Sequence, residues 1–199
     1  SLLNAKDFGI PQHRKRVFFV GLMEGEFIFP DGSKILEVTT KEALSDLPAL
    51  DVEHKDVGTF NYPSPPKSDY QRYIRGNSKQ ITNHLITMHT EQTKSIIGMI
   101  PDGGKIKDLP REYWEIRKFN KAFQRMPSGG VSATVDTGHR NYFHYKQNRI
   151  PSVRENARLQ SFKDDWEPLG SKTSQYKQIG NAVPPLLAEN VARTLKKYL

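Results

Sequence analysis

The chain contains no cysteine. Disulfides are therefore excluded, and with them a small secreted fold that depends on covalent staples. The thiolates of most structural zinc sites are also missing, and six scattered histidines do not replace them, so no metal site is expected. Long apolar runs are absent as well. None approaches the roughly 18 residues that cross a bilayer, which excludes a membrane-spanning helix. The opening residues Ser1-Leu2-Leu3-Asn4-Ala5-Lys6-Asp7 lack the basic-then-apolar pattern of a signal peptide and lack an initiator methionine. A processed, cloned or internal start is the expectation, with the cytoplasm as the default compartment.

What remains is long enough for one large domain or two small ones, at 199 residues. Apolar residues make up 36% and the mean hydropathy is -0.67, which is polar for a compact enzyme. Such a balance suits a thin domain, a large polar interface or a missing partner. Thirty Lys and Arg face 22 Asp and Glu, for a net charge of +8 and a pI near 9.6. A basic excess of this size favours a polyanionic partner, with nucleic acid first. A well-solvated surface accounts for the charge alone equally well.

Periodicity places a few elements. Residues 17–21 form a short apolar run between charge and glycine, and read as a buried strand of a parallel sheet. Thr39-Thr40-Lys41-Glu42 fits a capping box opening a short helix that Pro48 stops. Residues 51–80 are polar and carry Pro63, Pro65, Pro66 and three tyrosines, the texture of an irregular surface excursion leading to a second domain. A helix is predicted over residues 90–100, with Ile96, Ile97 and Ile100 inward. Residues 105–150 alternate β-prone runs with turns, which predicts a small twisted sheet. Ser152-Val153-Arg154-Glu155 is a second capping box, opening a helix through about Phe162, and a last helix starts at Pro184-Pro185.

Three strings carry candidate chemistry. In Gln12-His13-Arg14-Lys15-Arg16, strand alternation would turn Gln12, Arg14 and Arg16 the same way, and two guanidinium groups on one face suit a phosphate, a carboxylate or a base carbonyl. Composition alone favours the plainer account, a solvated basic turn. Asn181, in Gly180-Asn181-Ala182-Val183-Pro184-Pro185, sits at a tight turn before a helix, where an ordinary Asn cap with proline is the simpler reading. The block of residues 154–162 holds Glu155 and two arginines, but a capped helix with internal ion pairs explains them better than catalysis does. Between the blocks, the turn Gly138-His139-Arg140-Asn141 offers side chains that suit base edges, Arg for guanine and Asn for adenine, although a polar hairpin turn fits too. Lys118, Lys121, Arg125, Lys146 and Arg149 are candidates for phosphates, which position without specifying.

The strings Gly9-Ile10-Pro11-Gln12-His13-Arg14-Lys15-Arg16, Arg154-Glu155-Asn156-Ala157-Arg158-Leu159-Gln160-Ser161-Phe162 and Gln178-Ile179-Gly180-Asn181-Ala182-Val183-Pro184-Pro185, in this order, closely resemble the C-terminal half of DNA cytosine-5 methyltransferases. The resemblance covers nearly the whole chain. It implies an α/β fold: the C-terminal part of a Rossmann-like, S-adenosylmethionine-dependent domain formed by residues 1–48 and 166–199, with residues 49–165 inserted as a small α+β recognition domain. It implies that Arg16 contacts the target cytosine, that Arg14 organises the catalytic pocket and that Gln12 supports them. It assigns Asn181, Ala182 and Val183 to the S-adenosylmethionine pocket. It gives Thr134, in Ser132-Ala133-Thr134-Val135, with His139, Arg140, Asn141, Lys146 and Arg149, to recognition of double-stranded DNA. Ahead of the first block stand no Phe-x-Gly-x-Gly loop, no Pro-Cys dipeptide and no Glu-Asn-Val triplet. The resemblance therefore implies a separate N-terminal half or subunit that carries the Pro-Cys, Glu-Asn-Val and Gly-rich motifs. A non-catalytic DNA-binding module derived from such an enzyme is the alternative.

Overall fold

The computed structural model describes residues 1–33, 35–51, 58–114, 123–138 and 142–199, and its architecture is mixed α/β. Its strands are short and come in three pairs among the described residues: β1 (Leu2–Asn4) with β2 (Lys15–Val17), β3 (Phe60–Asn61) with β4 (Gln80–Ile81), and β5 (Gln124–Arg125) with β6 (Tyr142–Phe143). Helices supply most of the regular structure.

The two capping boxes form as their side chains dictate. Thr39 accepts from the Glu42 amide and Glu42 reaches back to Thr39, which opens α1 (Thr40–Leu44). Ser152 and Glu155 do the same for α4 (Val153–Leu159), where all seven residues are buried. Thr90 caps α3 (Glu91–Met99), which turns Ile96 and Ile97 inward beside Ile100, each worth roughly 1.5–3 kcal/mol of burial. Gly103, at φ 70, makes the turn that follows. Pro185 stands at the start of α6 (Pro185–Leu195), which buries Leu187 and Val191.

Four expectations need correction. Residues 17–21 are not a buried parallel strand: the strand is β2, it runs antiparallel to β1 in the register Leu2 to Val17 and Leu3 to Arg16, and Phe19 is 93% exposed. The polar stretch after Asp51 contains α2 (Asp69–Arg75), capped by Ser68, with Tyr70, Gln71, Ile74 and Arg75 buried. Its polarity hid it, because its buried groups are satisfied by long-range partners: Gln71 Nε2 donates to the Glu42 carbonyl at 2.6 Å and to Ser45 Oγ at 3.0 Å. A second helix, α5 (Lys172–Asn181), precedes the Pro-Pro step, with only Tyr176, Ile179 and Gly180 buried along it. Among the described residues of 105–150 the expected small sheet is reduced to the parallel pair β5–β6, two residues to a strand, an antiparallel bridge from Lys105 to Gln124, and short 3-10 turns.

Three apolar cores result among the described residues. One gathers Leu44 and Leu47, Tyr70 and Ile74, Met126, Val135, Leu159 and Ile179 from segments across the whole chain. A second packs Ile96, Ile97 and Ile100 on Phe123, Phe143 and Ile150. The third joins Leu3, Phe8 and Ile10 to Leu187 and Val191 of α6.

Inside the first core lies an ion cage. Arg158 donates to both oxygens of Asp164, at 3.0 and 2.6 Å, and to Asp46; Asp46 also takes Arg75 at 2.6 Å. Arg154 lies 3.7 Å from Asp164. The partners of the α4 arginines are therefore not in the helix, as the sequence reading had them, but in segments that pack on it. Burial opposes the charge on Arg158, yet Asp164 and Asp46 outweigh it and raise its pKa.

Candidate functional site

The first motif block reaches its place by a short run of forced steps. A 3-10 turn, Ala5–Phe8, ends at Gly9, whose φ of 70 is open to glycine and costly for most other residues. The chain then buries Ile10 in the third core and pairs with the Ser132 segment in a parallel bridge at Gln12. His13 N donates to the Ser132 carbonyl at 2.8 Å, and Ser132 N and Oγ return to the Pro11 carbonyl at 3.0 and 2.8 Å. Thr134 Oγ1 donates to the His13 carbonyl.

That zipper drives two side chains of the block inward. Gln12 is 0% exposed and Arg14 1%. Arg14 donates to the Val135 carbonyl at 2.8 Å, the Ala182 carbonyl at 3.0 Å, the Gly180 carbonyl and Gln12 Oε1. Gln12 Oε1 accepts from Val135 N at 3.0 Å, and its Nε2 donates to the Leu159 carbonyl at 3.1 Å. Gln160 completes the joint: its Nε2 donates to the Ala182 carbonyl at 3.0 Å and to that of Ile179. One arginine and two amides thus tie residues 12–14, 132–135, 159–160 and 179–182 into a single knot. Burial, with the positive charge of Arg16 added, lowers the Arg14 guanidinium to about 10. It stays protonated at neutral pH, held by carbonyl dipoles with no carboxylate.

The knot also explains Gly180. A Cβ there would overlap the Asp136 carbonyl and the Thr137 amide, so α5 ends directly against that backbone. Asn181 is therefore the last residue of α5 and not a cap for the next helix; Ala182 follows as the C-cap. Asn181 and Val183 are exposed, and the Asn181 carboxamide makes no hydrogen bond to the described residues. An unpaired carboxamide beside an exposed valine gives one polar and one apolar contact for a small ligand.

Arg16 behaves differently from its neighbour. It is half-buried, and its guanidinium reaches only the Lys15 carbonyl, at 2.7 Å. The burial alternation matches the expectation that Gln12, Arg14 and Arg16 share one face, since His13, Lys15 and Val17 between and beyond them are exposed. Unlike the other two, Arg16 is only half-buried there and keeps donors to spare.

The surface residues expected to meet DNA divide in the same way. Thr134 and Lys146 are exposed, and Lys146 borders an open cavity of about 370 Å³ with Lys94 and Asn148. Arg149 is not available to a phosphate: it is 4% exposed, with both terminal nitrogens on the Glu155 carboxylate at 2.7 Å. Arg125 is also interior, donating to the carbonyls of Ile100 at 2.9 Å and His144 at 3.0 Å. His139, Arg140, Asn141, Lys118 and Lys121 lie outside the described residues. Gln160, Gly180 and Val135, by contrast, belong to the site although sequence reasoning passed over them. Their signal was positional, since all three lie in or beside the motif blocks.

A Glu-Asn-Val triplet does occur downstream of the first block, as Glu189-Asn190-Val191 inside α6. Glu189 pairs with Arg193 at 2.6 Å and accepts from the Tyr73 hydroxyl at 3.3 Å, Asn190 Nδ2 donates to the Leu186 carbonyl at 2.7 Å, and Val191 is in the third core. These contacts stabilise the helix and its packing.

Comparisons with known proteins identify the family. A family model described as C-5 cytosine-specific DNA methylase matches residues 1–197. The type II methyltransferase M1.HphI of Haemophilus parahaemolyticus is 35% identical over 197 residues, which is 98% of this chain and 47% of that protein. The type II methyltransferase M.AquIB of a Picosynechococcus species is 34% identical over 131 residues, 60% of this chain and 90% of that protein. A crystal structure of an Escherichia coli protein described as a prophage-encoded DNA modification methyltransferase superposes with a TM-score of 0.75 at 22% identity, covering 99% of this chain and 59% of that one, a likeness in fold. The chain spans about half the length of the first curated relatives it matches. Matched from residue 1 to 197, with the family's blocks knotted together at Arg14, the chain belongs to the C-5 cytosine-specific DNA methylases.

Proposed function

We propose that this chain is the C-terminal portion of a DNA cytosine-5 methyltransferase, in which a methyl group passes from S-adenosylmethionine to C5 of a cytosine flipped out of double-stranded DNA. The observation that carries this reading is the contrast at residues 14 and 16. Arg14 is consumed in joining the family's blocks, and Arg16, two residues on, is presented with free donors. In this reaction a cysteine thiolate adds to C6, and negative charge moves onto the ring and its carbonyl oxygen. A guanidinium fixed at that oxygen stabilises the charge in a site shielded from water, and in this reading Arg16 supplies it. Gln12 and Arg14 are positioning residues that hold its strand.

S-adenosylmethionine supplies the electrophilic methyl group when bound. Exposed Asn181 and Val183, with Ala182, fit one wall of its site; the Gly-rich loop opposite is not in this sequence. The cysteine is also absent, so the nucleophile comes from a segment carrying the Pro-Cys motif, as a separate subunit or as part of a longer polypeptide. Residues 1–48 and 166–199 then close a Rossmann-like catalytic domain, and residues 49–165 form the recognition domain. Exposed Thr134 and Lys146 are assigned to DNA contact, as are His139, Arg140 and Asn141 from their place in the sequence. The setting is a prokaryotic restriction–modification system in the cytoplasm.

The test is methyl transfer from labelled S-adenosylmethionine to DNA by the purified chain, with and without the polypeptide encoded immediately upstream. Activity in the mixture only is expected. Transfer by the chain alone would sink the reading. A silent mixture, with salt-sensitive DNA binding retained by the chain, would replace it with a non-catalytic DNA-binding module.

A further inference from the structure

Residues 182–184 join α5 to α6, and the exposed side chains of Asn181 and Val183 stand at this link. The link does not fix its own geometry. Neither Pro184 nor Pro185 carries an amide hydrogen, so Leu186 N is the first donor of α6, and Pro184 has no side-chain oxygen to receive it. The last carbonyls of α5 also need donors from outside that helix.

Both needs are met from the end of α4. Gln160 is its C-cap, and Ser161 follows in the left-handed region, at φ 64. Ser161 N donates to the Arg158 carbonyl at 3.0 Å and Phe162 N to that of Ala157 at 2.9 Å, the pair of bonds that closes a helix on a left-handed residue. Glycine is the usual occupant of that position, because a side chain there crowds the backbone. The serine has a use: its Oγ accepts from Leu186 N at 3.1 Å and so caps α6 from a different part of the chain. Gln160 grips the other side of the link. Its Nε2 donates to the Ala182 carbonyl at 3.0 Å and to that of Ile179, and its Oε1 accepts from Gln12 Nε2 at 3.4 Å. Both residues are 0% exposed, so neither can touch a ligand itself.

We infer that Gln160 and Ser161 are positioning residues for S-adenosylmethionine: they clamp the 182–184 link from both sides and thereby set the directions of Asn181 and Val183. The inference rests on the reading proposed above, in which those two residues form one wall of the cofactor site. The clamp is not needed to hold either helix in place. Tyr176 and Ile179 fix α5 in the first core, and Leu187 and Val191 fix α6 in the third. What the clamp adds is order in the short link between them. A carboxamide and a valine oriented before the ligand arrives need no ordering on binding, and that raises affinity without a new contact.

The test uses Ser161→Gly, which keeps the left-handed backbone and removes the hydroxyl, and Gln160→Met, close in volume but without a donor. In the isolated chain, exchange at the Leu186 amide is expected to quicken about tenfold in Ser161→Gly. Its melting temperature should stay within about 3 °C of wild type, since the lost cap and the relieved backbone offset one another. In the mixture with the polypeptide encoded immediately upstream, each variant is expected to raise the dissociation constant for S-adenosylmethionine, read by calorimetry, and its KM by about fivefold or more. The kcat at saturating cofactor and the affinity for DNA should change by less than about twofold. Unchanged cofactor affinity in both variants would overturn the positioning role. So would losses in kcat and DNA affinity as large as the loss in cofactor affinity, which would mark a general defect of the fold. The double variant Asn181→Ala, Val183→Ala tells the two levels apart. If it binds the cofactor as tightly as wild type in a mixture that methylates DNA, the wall itself is misassigned and the inference falls with it.

Discussion

Helix α4 and the segment around β2 both carry paired arginines, and they end up in opposite conditions. Every residue of α4 is buried, and Arg154 and Arg158 are met by acidic side chains brought from segments up to 112 residues away. Along residues 15–20 every second side chain is exposed, and Arg16 reaches only a neighbouring carbonyl. One region has its charges met within the chain; the other leaves side chains and donors exposed. The difference teaches where to look for function. An arginine whose donors are all taken by the fold specifies architecture, and one left half-buried with donors unused is the better candidate for a functional contact.

The largest effect is expected where the finished region is broken. Arg158→Ala leaves Asp164 and Asp46 buried with part of their charge uncompensated, at a cost of about 3–5 kcal/mol in urea unfolding. A loss below about 1 kcal/mol would show that Arg75 and Arg154 suffice to neutralise the cage.

Acid probes the same region through His144. Burial is the leading cause that lowers its pKa to about 4; Glu155 acts the other way. The folded value lies below the unfolded one, so the unfolded chain binds the extra proton between them. Stability is therefore full above about pH 6.5 and is lost as pH falls through about 4, by on the order of 3 kcal/mol. Buried His84, lowered chiefly by desolvation, adds a loss of the same sign. In His144→Gln the slope of unfolding free energy between pH 6.5 and 4 should flatten; an unchanged slope would place the titration elsewhere.

The smallest effect on stability sharpens the contrast from the other side. Arg16→Ala should change unfolding by no more than about 0.5 kcal/mol, because its side chain holds nothing together. In the complete enzyme it should still lower methyl transfer at least a hundredfold. Arg14→Ala should do the reverse in the isolated chain. It strands the Val135 and Gly180 carbonyls and leaves that of Ala182 to Gln160 alone, at a cost of at least about 2 kcal/mol.

Local chemistry made much of this legible. The Thr39 and Ser152 capping boxes, the isoleucine stripe of α3 and the Pro-Pro start of α6 need only neighbours in sequence, and all four form where the letters put them. The elements that escaped are those whose stability is non-local. Helix α2 buries Gln71 and Arg75 because distant carbonyls and Asp46 receive them, and α5 ends at Gly180 because the Asp136 backbone lies against it. Arg149 looked like a phosphate ligand because a sequence gives charge without direction; Glu155, six residues on, takes both its terminal nitrogens.

By itself the sequence determined the family, through three blocks whose order and letters recur, together with the capped helix starts and the absence of any cysteine nucleophile. Only the tertiary structure decided that Arg14 is a structural knot and Arg16 a presented group, and that the apolar run after it lies half open. The physical reason is that a motif fixes which atoms a chain carries, whereas burial and hydrogen-bond partners depend on which distant backbone the fold brings alongside.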